Sequence, residues 1–129
     1  MKSGWYGPVH ITEWRDKLHE VADMLRTRNF SIVYKFYSTK YGPVRYVGRS
    51  NDPFSRESAH LSKISIFDIH EDLGGRIAWV KFKVIRGRGR VREAFEEECR
   101  IYHQEEPDLN KKHPEKPPNA RYKCPYCRF

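Results

Sequence analysis

Two short runs, Ser31–Tyr37 and residues 44–48, constrain this chain more than anything else in it. The first is rich in β-branched and aromatic residues, and Ser38-Thr39-Lys40-Tyr41-Gly42-Pro43 between them is turn chemistry, so the pair reads as an antiparallel hairpin. Alternation places Ile32, Tyr34 and Phe36 on one face of the first strand, and Val44, Tyr46 and Gly48 on one face of the second. Helical spacing brackets the hairpin. Residues 13–27 carry Trp14, Leu18, Val21, Ala22 and Leu25 on one stripe, with Thr12 as the expected N-cap. Asn51-Asp52-Pro53 is a helix start, a capping residue ahead of Pro at the first helical position, and that helix runs to about Lys63. Residues 77–85 alternate again: Ala78, Val80, Phe82 and Val84 share one face, Lys81 and Lys83 the other. Arg86-Gly87-Arg88-Gly89-Arg90 is a loop, residues 91–105 a long helix, and a Pro-rich tail follows. Such mixed order without internal repeats argues α+β.

The 129 residues suffice for one ordinary domain, and 14% aromatics supply its core. No stretch approaches the ~18 apolar residues of a membrane span, and the first residues lack the apolar run of a signal peptide. The expectation is an intracellular protein, cytoplasmic or nucleoid-associated, in a reducing compartment. The net charge of +8 is uneven: residues 31–90 hold twelve Lys/Arg against five acids, while residues 91–129 hold eight of each. A polyanion is the natural partner of the basic middle; a solvated basic face is the alternative.

One acid is in the wrong place. On the last helix Val91, Phe95 and Tyr102 fall within about 40° of one another, and Glu98 lies inside that apolar stripe, whereas Glu93, Glu96 and Glu97 point away from it. A buried carboxylate without a partner is costly, so Glu98 should meet an arginine, a lysine or a metal ion. A second set, Tyr34, Tyr46, Arg56 and His60, combines two strand phenols with two residues one helical turn apart. Taken singly, each reads as packing or as a solvated side chain.

Together these residues resemble the GIY-YIG nuclease family. Its opening motif corresponds to Ile32-Val33-Tyr34 and its second to Tyr46-Val47-Gly48, followed by Arg49-Ser50. The family's arginine matches Arg56, a histidine found in part of the family matches His60, and the last helix supplies Ala94, Glu98, Pro107 and Asn110. Ile32 replaces the first glycine of the opening motif, a change of backbone convenience rather than of chemistry. The resemblance covers roughly residues 31–110. It implies a three-stranded antiparallel sheet flanked by helices, and hydrolysis of DNA phosphodiester bonds assisted by Mg²⁺ or Mn²⁺. Glu98 would anchor the ion, which keeps most of its waters. Arg56 would hold the transition-state charge. Tyr34 would take the proton of the attacking water, which asks for a phenol pulled below its usual pKa of ~10 by nearby cations. His60 would accept from Tyr34, Tyr46 would position water or phosphate, and Asn110 would orient the scissile group.

The cysteines point to another metal. Cys99 and His103 are i, i+4 on the last helix, and Cys124 and Cys127 form a C-x₂-C pair, together a Cys₃His set for structural Zn²⁺ pinning the tail; His113 competes for the fourth place. An exposed dithiol unrelated to Cys99 and His103 is the plain alternative. Lys35, Arg45, Arg49, Lys81 and Lys83 are candidate DNA-backbone contacts, as are Arg86, Arg88 and Arg90 of the loop, which serves equally as a solvated connection. The layout expected is therefore an N-terminal helical extension (1–30), a nuclease domain (31–110) and a zinc-pinned tail (111–129). Cutting both strands calls for a homodimer or two successive events, and specificity for a partner protein or appended element. A catalytically inactive, zinc-stabilised nucleic-acid-binding domain of the same fold is the main alternative function, and a small RNA-binding protein a third.

Overall fold

The computed structural model describes residues 4–127. Its elements are β1 (Trp5–His10), a 3₁₀ turn (Ile11–Glu13), α1 (Trp14–Leu25), β2 (Ser31–Tyr37), β3 (Tyr46–Ser50), α2 (Pro53–Leu61), β4 (Ile69–His70), β5 (Gly75–Arg76), β6 (Trp79–Ile85) and α3 (Arg90–Glu105). The architecture is α+β. Its main sheet is antiparallel and has four strands in the order β1-β6-β2-β3, not three. The additional strand is β1, which pairs with β6 through an irregular register between Tyr6 and Val9. Its Gly7-Pro8 step breaks any alternation a sequence reading could find, and an edge strand is where a sheet tolerates proline. A two-residue hairpin, β4–β5, was likewise too short to read.

Every residue of β2 except Lys35 is buried, so both faces of the sheet need cover. On one face Ile32, Tyr34 and Phe36 join Val80 and Phe82 beneath Trp14, Leu18, Val21 and Ala22 of α1, with Phe54 and Leu61 of α2 against them. On the other, Val33, Val47 and Ile85 meet Ala94 and Ile101 of α3. Residues 5–25, read as part of a separate extension, thus contribute a strand and a helix to the shared core. Helix α2 begins as its sequence dictates: Asp52 accepts from Ser55 N and Pro53 opens the first turn. Thr12, the expected cap of α1, lies in the 3₁₀ turn instead, where His10 accepts from its backbone N–H. The second hairpin strand starts two residues later than expected, at Tyr46, although Arg45 N–H already bonds across to the Phe36 carbonyl at 2.8 Å. No helix among the described residues is long and apolar enough to cross a membrane.

Candidate functional site

The outer edge of β3 faces residues 109–115, and between them lies a polar cleft of about 460 Å³. Tyr34, Tyr46, Arg49, Arg56, Glu98 and Asn110 all line it. Tyr34 stands opposite Gly48 in the β2–β3 register. A Cβ at position 48 would lie 2.4 Å from the Tyr34 hydroxyl, so the missing side chain is what admits the phenol to the cleft. Tyr46 lines the same cleft from β3. Arg56 and His60 are one turn apart on α2; Arg56 is exposed with no ion-pair partner among the described residues, and His60 is buried. The Tyr34 hydroxyl lies 2.8 Å from His60 Nε2.

Glu98 is 6% exposed, and the cation it meets is an arginine: Arg49 Nη1 donates to Glu98 Oε1 at 2.5 Å. The same guanidinium donates to the Glu115 carbonyl and lies 5.1 Å from the Phe95 ring centre. Arg49 therefore secures the carboxylate rather than projecting as a separate backbone contact. Helix α3 covers the face of the sheet opposite Tyr34, yet Glu98 shares the phenols' cleft because β3 is an edge strand and Gly48 leaves that edge thin. Asn110 lies at the same edge, but its amide is committed: Oδ1 accepts from Val47 N at 2.8 Å and Nδ2 donates to Val47 O at 2.9 Å. It imitates a neighbouring strand and satisfies the outer edge of β3.

Electrostatics revise one expectation. Burial, then Tyr46 and Glu98, push the Tyr34 phenol well above its ordinary pKa, against a smaller pull from Arg56 and Arg49. Tyr34 is held as the neutral phenol rather than the phenolate. Tyr46 is raised by burial and Glu98. Burial, His70 and Arg56 press His60 down to about 3, so it is neutral. Burial raises Glu98 against the opposing charge and hydrogen bond of Arg49.

The basic candidates disperse. Lys83 pairs with Glu97 at 3.1 Å and Arg45 with Asp108 at 2.8 Å. Lys35 lies 4.1 Å from the Trp5 ring centre, beside Lys81 on the α3 side of the sheet. Arg86 and Arg88 are exposed in their loop, while Arg90 donates to Asn29. Sequence reasoning missed Lys111 and Lys112, which are exposed on the cleft wall, and His70, whose Nε2 lies 2.8 Å from His60 Nδ1. Nothing local marks them: His70 is ten residues from His60, and the lysines look like tail solubility.

Beside the cleft, His103, His113, Cys124 and Cys127 bring four ligand atoms within 4.8 Å of one another and could hold a zinc ion. Cys99 is not among them. It faces the core with Phe95 and Cys124, and the fourth corner goes to His113, carried across by the tail. Tetrahedral zinc bonds put ligand atoms ~3.3–3.8 Å apart. His113 Nε2 is 3.3 Å from His103 Nε2 and 3.2 Å from Cys127 Sγ, close to that spacing. His113 Nδ1 donates to the Pro114 carbonyl at 2.9 Å, which leaves Nε2 to the metal. Burial pushes the Cys124 thiol up, but N–H groups of Tyr126 and Cys127, with His113 and Cys99, bring it down to about 6, the direction a thiolate ligand needs. Cys99 packs against Cys124 from the core side, its own thiol pushed up by burial and by Cys124.

Comparison with family models, with curated proteins and with solved structures finds no significant match.

Proposed function

We propose that the chain is a divalent-metal-dependent DNA endonuclease of the GIY-YIG type, with zinc holding its tail. The observation that carries this reading is one cleft joining Tyr34, Tyr46, Arg56 and Glu98, with His60 on the Tyr34 hydroxyl. The donor set suits a hard cation: a single buried carboxylate facing an open polar cleft, most coordination left to water. Mg²⁺ or Mn²⁺ held by Glu98 would supply Lewis-acid stabilisation of the phosphoryl and leaving oxygens.

The remaining work falls to the chain. Arg56, exposed and without an ion-pair partner among the described residues, offers a bidentate fork to the phosphoryl oxygens as charge builds on them. Tyr34 passes its proton toward His60 as it accepts one from the attacking water. Tyr46 positions water or phosphate, and Lys111 and Lys112 meet the flanking backbone. Asn110 keeps the edge of β3 in register and so supports the site from behind.

A second reading has one observation in its favour. The Arg49 guanidinium already neutralises Glu98, as in a silent nucleic-acid-binding domain with no metal to hold. Supercoiled DNA incubated with the protein separates them. Mg²⁺-dependent nicking, abolished by chelation and restored by Mn²⁺, is the expected result. Tight DNA binding without nicking in either metal overturns the nuclease reading in favour of the second.

A further inference from the structure

The candidate chemistry has a gap. Tyr34 holds its proton tightly, and His60, next in line, is a poor resting place for one. His60 is enclosed by Trp14, Tyr34, Phe36, Tyr46 and His70 rings, with Arg56 the nearby cation. Two hydrogen bonds in series leave this pocket: Tyr34 hydroxyl to His60 Nε2 at 2.8 Å, then His60 Nδ1 to His70 Nε2 at 2.8 Å. His70 is 1% exposed, comes from β4, and its Nδ1 hydrogen-bonds no other residue. A buried polar atom left over at the end of a chain of ring nitrogens asks for an explanation.

We infer that His70 is the terminal proton acceptor of a Tyr34–His60–His70 relay serving the cleft. This rests on the nuclease reading above. The transfers balance. As the water oxygen bonds phosphorus, its proton goes to the Tyr34 oxygen and the Tyr34 proton goes to His60 Nε2. The His60 Nδ1 proton passes to His70 Nε2, so His60 ends neutral and His70 ends as an imidazolium carrying the proton that water lost. The P–O bond to the leaving oxygen breaks with its electron pair. Tautomers follow: at rest both His60 and His70 carry hydrogen on Nδ1.

The surroundings favour this direction. Burial lowers both imidazoles, but at His60 the neighbours His70 and Arg56 lower it further, with only Asp72 opposing. At His70, Asp72, a hydrogen bond to its own backbone and, more weakly, Glu71 counter burial, and Lys63 alone adds to it; Lys63 is itself paired with Asp72 at 3.3 Å. The second ring is therefore the better place for positive charge: Arg56 acts on His60 but is not among the charges acting on His70, where Glu71 joins Asp72.

His70→Gln tests the relay, because glutamine hydrogen-bonds His60 but takes no proton. The expected result is a kcat about 10²-fold lower, KM essentially unchanged, a displaced acid limb of the kcat profile, and a melting temperature near that of the parent. Parental kcat in His70→Gln overturns the proposal, showing that His70 merely orients His60. Imidazole ¹⁵N spectra of the intact protein decide independently of turnover. Hydrogen on His60 Nδ1 supports the relay, and hydrogen on His60 Nε2 overturns it. Should the parent cleave nothing, the nuclease reading fails while the spectra still report which way the chain of donors runs.

Discussion

At the residue scale the account turns on what each side chain can hold. Gly48 carries no chemistry, yet a methyl group there would meet the Tyr34 hydroxyl and ring carbons. Gly48→Ala is expected to displace the phenol, slowing cleavage by about 10²-fold as positioning is lost, with a stability cost of about 1–3 kcal/mol from overpacking. Parental cleavage by Gly48→Ala would show that Tyr34 need not occupy its present place. His60 governs acid stability. Its pKa falls from 6.5 in a free chain to about 3 when folded, so between those values the unfolded state binds a proton that the native state does not. Stability is therefore level above pH 6.5 and lost as pH falls below it, at about 1.4 kcal/mol per pH unit from this group alone. Thermal melts across pH 4–8 should show that slope, and His60→Gln should remove its share of it.

At the element scale α3 is the hub. Its Glu98 reaches the cleft, Ala94 and Ile101 hold the sheet, and His103 reaches the tail. The tail returns the favour through residues 110–115, which form the cleft wall and accept from Arg49. A metal at His103, His113, Cys124 and Cys127 would thus fix the wall of the candidate cleft as well as the tail. Native mass spectrometry is expected to show one zinc, retained in Cys99→Ala and lost in Cys127→Ser. Loss of zinc from Cys99→Ala with retention in Cys127→Ser would reverse the ligand assignment.

These elements also show what a sequence can reveal. Glu98 was legible because a helix imposes a 100° periodicity on which one acid in an apolar stripe stands out. The Asp52-Pro53 start and the alternation of β6 were legible because capping and pleat are local. The strand β1 was not, since its pairing with β6 spans some seventy residues and its own Gly-Pro step hides the pleat. Nor could spacing choose His113 over Cys99. Both are plausible ligands by type, and the choice depends on which side of α3 the tail crosses, a tertiary fact.

At the scale of the whole molecule, a four-stranded antiparallel sheet with helices on both faces brings a basic chain to one polar cleft at its β3 edge. The fold alone fixes no activity; the side chains in the cleft carry the claim. That claim is most directly tested by single-turnover cleavage of an end-labelled duplex in Mg²⁺ by the parent and by Glu98→Gln, which preserves shape but surrenders the charge. The account predicts a Glu98→Gln rate at least about 10²-fold lower, with DNA binding retained and the fold intact by melting. Equal cleavage by parent and variant would contradict it.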